Sequence, residues 1–138
     1  MSTSNKPIMV VAGKRKSAVA KVRIFEGSGH ISYNRKTQAA LPFFHRTALE
    51  EPLAIAREIL GSVKYDFTIT AAGGGRESQI QAARLGIAKA LVAVTKSVDL
   101  KKTYVAYDRN LLVADTRRKE TYKPGDSKAR AKRQKSYR

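Results

Sequence analysis

"VKYDFTITAAGGGRESQIQAARLGIAKALVAV", Val63 to Val94, changes its apolar period halfway along, and that change decides the fold class. Up to Ala71 the pattern alternates, with Val63, Tyr65, Phe67, Ile69 and Ala71 on one face and Lys64, Asp66, Thr68 and Thr70 on the other. A period of two marks a strand with one buried face. Beyond Gly73-Gly74-Gly75 the apolar positions fall at Ile80, Ala83, Ile87, Leu91 and Val94, the stripe of an amphipathic helix. Ser78 and Gln81 form a capping-box pattern near its start, and Arg84 falls at the edge of the stripe. Strand, glycine turn and helix in succession predict a domain that mixes strands and helices.

The flanking segments extend this pattern. In "SAVAKVRIF", Ala18, Ala20, Val22 and Ile24 point one way and Val19, Lys21, Arg23 and Phe25 the other, which predicts a strand with a basic patch on one face. "EGSGHISYN" follows, with a turn signal at Gly27-Ser28-Gly29 and a resumed period of two at Ile31 and Tyr33, so a β-hairpin is expected here. "HRTALEEPLAIAREILG" has a capping-box pattern at Thr47 and Glu50 and a stripe of Leu53, Ala56, Ile59 and Leu60. A proline inside a helix clashes with the carbonyl four residues back, so the main helix is expected to start at Glu50 or Glu51 with Pro52 in its first turn. A third helix, "DLKKTYVAYDRNLL", spaces Leu100, Tyr104, Tyr107 and Leu111 by four, three and four. After Asp115 the apolar periodicity ends, and no internal repeat is visible.

Charge divides the chain differently. Its 138 residues hold 28 Lys/Arg against 11 Asp/Glu, a net charge of +17, and so one-sided a surface costs self-repulsion unless a polyanion is the partner. Residues 1–24 contain six basic residues and no acid, and residues 117–138 contain ten basic and two acidic, so the ends carry most of the excess. The expected organisation is a lead at 1–8, a globular polyanion-binding domain at 9–114 and an extended basic tail at 115–138, disordered when free. Fully extended, its 22 residues from Arg117 onward reach roughly 70 Å at about 3.3 Å per residue. Ordering it costs on the order of 20 to 40 kcal/mol, which a few exposed phosphate contacts would hardly offset, so it should order only where RNA surrounds it. A solubility tail or a localisation signal are the plainer readings of such a stretch.

Composition also excludes several classes. The absence of cysteine removes disulfides, thiolate metal sites and thiol catalysis, and two histidines make a poor metal site. No apolar run is long enough for a membrane span, and "MSTSNKPIMVV" lacks the features of a signal peptide. A soluble, cytoplasmic protein without cofactor, metal or catalytic residue is expected. His30 and His45 have no nucleophile motif around them, and Glu50-Glu51 adjoin a helix start, where carboxylates are favoured anyway.

Two further features suit anion binding. Gly73-Gly74-Gly75-Arg76 between strand and helix aims backbone N–H groups at a ligand and would suit a phosphate. It equally suits a turn that reverses the chain or lets another backbone approach, and it lacks the residues of a nucleotide-binding loop. "GKRKSAVAKVR" sets Lys14, Arg15 and Lys16 before a strand whose outer face shows Lys21 and Arg23, with no acid from Met1 to Phe25. A phosphate-contacting surface accounts for that imbalance better than a solvated face does.

The sequence resembles the ribosomal protein S nine family of the small subunit, in its archaeal and eukaryotic form. The resemblance is carried by "GKRKSAVAKVRIFEGSGHISYN" (Gly13–Asn34), "EP" (Glu51-Pro52), the glycine triplet, "ARLGIAKALV" (Ala83–Val92), "YDRNLLVADTRR" (Tyr107–Arg118) and "RAKRQKSYR" (Arg130–Arg138). It departs from the family's pattern where "RESQIQAA" follows the triplet and sets Glu77 beside it. Tyr137 matches the archaeal and eukaryotic ending rather than the lysine usual in bacteria.

The resemblance implies an α/β (α+β) fold in two layers, a mixed sheet with helices on one face, like the second domain of ribosomal protein S five. It implies a place in the head of the small subunit beside neighbouring head proteins, with small-subunit rRNA as partner and no membrane or small-molecule substrate. It also implies that the tail reaches peptidyl-site tRNA, where Arg138 meets the anticodon stem-loop. The expected rRNA-binding residues are Lys14, Arg15, Lys16, Lys21, Arg23, Arg76 and Arg84 on the body and Arg117, Arg118, Lys119, Lys128, Arg130, Lys132, Arg133 and Lys135 along the tail. Ser136, Tyr137 and Arg138 are the expected tRNA-facing residues. A nonspecific nucleic-acid chaperone and a nucleotide-binding enzyme using Gly73–Arg76 remain as alternatives, separable by duplex-DNA competition and by a nucleotide-binding assay.

Overall fold

The computed structural model describes residues 6–125, 127–132 and 136–137. Its central strand is the one whose alternation was clearest: β5, Tyr65–Ala72, lies between β2, Ala18–Glu26, and β3, Ile31–Tyr33. With β1, Met9–Arg15, and β4, Lys36–Thr37, they form a five-stranded mixed sheet in the order β1-β2-β5-β3-β4. All neighbours are antiparallel except β3 and β5. The inner face carries Ala18, Ala20, Val22, Ile24, Ile31, Tyr33, Phe67, Ile69 and Ala71, all buried. The fold is therefore the expected mixed sheet with helices over one face.

Two expectations about the first strands are corrected. The basic run at Lys14 to Lys16 does not merely precede a strand, because Lys14 and Arg15 end β1, which pairs with β2 across a two-residue turn at Lys16-Ser17. The expected hairpin between β2 and β3 does not form, because β5 inserts between them. That insertion satisfies the connecting loop: Asp66 of β5 accepts hydrogen bonds from the N–H groups of Ser28, Gly29 and His30 at 2.8, 3.0 and 2.9 Å. It also gives Phe67 and Ile69 a neighbour on either side. The tight hairpins are instead β1–β2 and β3–β4, the latter turning through Asn34 and Arg35, both at positive φ.

The helices keep their type but start elsewhere. α1 runs from Phe43 to Leu60, seven residues before the expected start, with Pro42 as its first cap and Pro52 inside it. Thr47 does not cap; its hydroxyl donates to the Phe43 carbonyl at 2.9 Å, the backward bond of a residue already in a helix. Pro52 forfeits one backbone hydrogen bond. In compensation it is buried against its neighbours, and its carbonyl accepts from the hydroxyl of Tyr104 at 2.6 Å. α2 spans Arg76–Thr95 with Gly75 as cap, so the Ser78/Gln81 capping box is not used.

α2 is buried well beyond its predicted stripe. Besides Ile80, Ala83, Ile87 and Leu91, it hides Ala82, Leu85, Gly86, Ala88 and Ala90. It is sandwiched between the sheet and α1, and its small residues let both come close. α3, Val98–Tyr107, is capped by the Ser97 hydroxyl accepting from the Leu100 N–H at 3.2 Å. Leu100, Tyr104 and Leu111 enter the core as expected, but Tyr107 is 58% exposed. The helix ends there, and a 3-10 turn at Arg109–Leu111 returns Leu111 to the interior. Beyond Leu111 the described residues form no helix or strand.

Candidate nucleic-acid interface

With every helix on the inner side, the outer face of the sheet is left uncovered, and strand register arranges its side chains in rows. One row runs Val10, Arg23, Thr68, Ser32 and Thr37 across all five strands. The next runs Ala12, Lys21 and Thr70, and a third Lys14, Val19 and Ala72. Lys14, Lys21 and Arg23 are exposed, the last two as the alternation predicted, and hydroxyls from β3, β4 and β5 continue the rows of Lys21 and Arg23. Cations and hydroxyls on a shallow open face suit the phosphates and ribose of a nucleic-acid backbone.

At one end of this face the β1–β2 turn meets the beginning of the tail. Lys16 is exposed at φ 52, and Arg15 is drawn inward, its Nε donating to Gln81 Oε1 at 2.9 Å and its Nη1 facing the Asp115 carboxylate. Asp115 also accepts from the backbone N–H of Arg117 at 2.9 Å and from its guanidinium Nη2 at 2.6 Å. First among these contacts, the Arg117 side chain holds the Asp115 carboxyl far below the usual carboxylate range. Sequence reasoning took Asp115 only as a boundary. The available signal was an acid placed directly ahead of an arginine pair at the start of a basic tail.

The glycine triplet abuts the same turn. Gly73 and Gly74 have φ of 76° and 59°, and a Cβ on Gly73 would lie 2.6 Å from the Ser17 carbonyl oxygen. Two of the three glycines are thus required by backbone approach, the structural alternative raised from sequence. Gln79 Nε2 donates to the Gly73 carbonyl at 3.0 Å and steadies the loop. Arg76 is exposed at the start of α2, and its neighbour Glu77 faces His45 of α1, Oε1 to Nε2 at 2.7 Å.

Arg84 sits apart from the exposed cations. It is partly buried between α1 and the end of α3, where its Nε donates to Glu51 and its Nη1 to Asp108 at 3.1 Å. Burial alone would make its positive charge less favourable, and the two carboxylates more than compensate. Tyr107 also donates to Glu51, so Arg84 serves as a brace among three helices' side chains.

Two other residues carry structural weight that sequence did not reveal. Asp66 is held charged by its loop: partial burial would raise its pKa, and the three backbone N–H groups bring it below the ordinary value. Asn34 extends the sheet with its side chain, Oδ1 accepting from the Ala71 N–H at 2.8 Å and Nδ2 donating to the Ala71 carbonyl at 3.3 Å.

Along the tail, Arg117, Arg118, Lys119, Lys128, Arg130, Lys132, Ser136 and Tyr137 are exposed. Arg130 Nε donates to Glu120 at 2.9 Å, and Lys119 lies over the ring of Tyr122 at 4.6 Å. Arg133, Lys135 and Arg138 lie outside the described residues. Among the described residues no group of acids and histidines is arranged to hold a metal, and no helix is long and apolar enough to cross a membrane.

Comparison with known proteins places these features in a family. Residues 13–138 match the family model described as ribosomal protein S9/S16. The small ribosomal subunit protein uS9 of Methanococcus vannielii is 42% identical over 134 residues, covering 95% of this chain and 98% of that protein. The proteins of the same name from two strains of Methanococcus maripaludis match at the same identity and coverage.

Proposed function

The chain belongs to the ribosomal protein S9/S16 family and is a protein of the small ribosomal subunit, and from that premise we propose that it binds small-subunit rRNA through its open sheet face and basic turn. The observation that carries this is the uncovered face itself, where Lys14, Lys21 and Arg23 are exposed and the rows of Lys21 and Arg23 continue into hydroxyls. Its role is structural: it holds rRNA of the subunit head in place within the cytoplasmic ribosome. The tail cations, Arg117 to Lys119 and Lys128 to Lys135, follow the rRNA backbone outward. Ser136, Tyr137 and Arg138 meet peptidyl-site tRNA, where a ring, a hydroxyl and a guanidinium offer stacking, hydrogen bonding and bidentate phosphate contact. Arg84 is left out of this surface because it is engaged by Glu51 and Asp108.

The test is binding to an rRNA fragment of the subunit head across a salt series, for the full chain and for one ending at Lys123, with unrelated RNA as competitor. With about six tail contacts at roughly 0.7 counterions each, the shortened chain should show a log-log salt slope shallower by about four and should keep its preference for the fragment. If neither form prefers the fragment to unrelated RNA, the nonspecific chaperone replaces this function.

A further inference from the structure

A cleft of about 740 Å³ separates the β1–β2 turn from the first residues of the tail, lined by Arg15, Lys16, Ser17, Arg117, Arg118 and Lys119. Five of these six side chains are cationic and the sixth is a hydroxyl. Left to themselves, so many like charges would splay apart into solvent. They are drawn together by one residue that does not line the cleft. The Asp115 carboxylate faces Arg15 Nη1 and accepts from Arg117 through its backbone N–H, its Nε and its Nη2. The Asp115 carbonyl accepts from Arg118 Nη1 at 3.1 Å. Two segments far apart in sequence are thereby joined at a single acid.

We propose that this cleft is a phosphodiester-binding site for the RNA backbone and that Asp115 is the residue that positions its cations. The proposal rests on the RNA-binding function above and adds a defined site to it. Arg15 is committed inward to Gln81 and Asp115, but the bonds of Arg117 and Arg118 use only some of the five N–H groups of each guanidinium, and the others can meet a phosphate, which arginine can grip in pairs. A cleft lined by five cations and a hydroxyl, with neither acid nor apolar side chain, suits a polyanion and not an apolar partner surface. Asp115 keeps its charge throughout the pH range of RNA binding, because Arg117 and Arg15 hold its carboxyl ionised.

The sign of one substitution separates this site from general electrostatics. Neutralising an acid in a chain of net charge +17 should tighten RNA binding if only long-range charge matters. With Asp115 as organiser, Asp115→Asn should instead weaken binding to the head rRNA fragment roughly threefold to tenfold and lower the salt slope by about one. Asp115→Glu, which keeps the charge, should recover most of the loss. Glu58→Gln, at an exposed acid on α1, supplies the control and should leave binding unchanged or slightly tighter. Folding of each variant is checked by far-UV circular dichroism.

Should Asp115→Asn not fold, Lys16→Asn and Lys119→Ala on the two sides of the cleft give an independent test. Cations that share a phosphate should be non-additive, the second substitution costing much less than the first, whereas independent charges add. Folded Asp115→Asn that binds as tightly as the parent, or tighter, overturns the proposal, and so does strict additivity of the two lysines. Failure of the parent chain to prefer the head fragment overturns the RNA-binding function itself, which is a different result.

Discussion

Asp66 shows how much one side chain can decide. Its Oδ1 receives three backbone N–H groups from the loop that leaves β2, and its carboxyl occupies the space a Cβ on Gly27 would need. Hydrogen bonds to a charged acceptor are stronger than neutral ones, so Asp66→Asn should cost on the order of 1 to 2 kcal/mol near pH 7. The sign with pH follows from linkage. The folded state holds Asp66 below its usual pKa, so the stabilisation is complete above the unfolded value of about 3.9 and is lost as pH falls through the lower folded value. Urea unfolding of parent and variant should therefore differ at neutral pH and converge in acid; a gap that persists in acid would mean that charge is not what Asp66 contributes. In the sequence Asp66 is only a polar position of an alternating strand. Its partners lie 36 to 38 residues earlier, beyond the reach of periodicity.

Elements meet here through glycine. A Cβ on Gly13 of β1 would collide with the Ala82 carbonyl oxygen of α2, and one on Gly86 of α2 would lie 2.6 Å from Val22 Cγ2 of β2. The helix thus rests almost directly on the strand backbones. Gly86→Ala meets the end of a side chain and should cost about 1 to 3 kcal/mol, while Gly13→Ala meets backbone and should cost more. Thermal unfolding of the two variants ranks them, and an equal or reversed order would contradict the close packing. The same packing explains why α2 hides more residues than its stripe announced: the periodicity identified one buried face, and α1 supplied a second. The early start of α1 has a similar origin, since Thr47 and Glu50 formed a locally valid capping pattern that the longer helix overrode.

At the scale of the molecule, the charges needed for binding are separated from those needed for folding. Among the described residues no charged side chain is fully buried. Arg84 and Asp115 make partly buried ion pairs and Asp66 accepts from backbone N–H groups, whereas Lys14, Lys21 and Arg23 stand on the open face without such ties among the described contacts. Lys21→Gln combined with Arg23→Gln should therefore change unfolding stability by less than about 0.5 kcal/mol. The same variant should lose about 1.4 from the salt slope of rRNA binding at roughly 0.7 per contact. A large stability loss would mean that the face is part of the fold rather than a free surface.

The order of residues alone settles the character of each segment. Alternation in Tyr65–Ala72 and Ala18–Glu26, the helical stripe after the glycine triplet and the crowding of cations at the two ends are local properties, set by residue type and spacing. Strand order, helix starts and the partner of each acid were decided only by the tertiary structure. β5 takes the centre because its apolar face gains a neighbour on each side and its Asp66 satisfies a loop that a β2–β3 hairpin would not need. Arg15, Arg84 and Asp115 look alike to a sequence reader as charges near basic runs. They differ because folding brings an opposite charge to each, and partial burial makes the pairing matter.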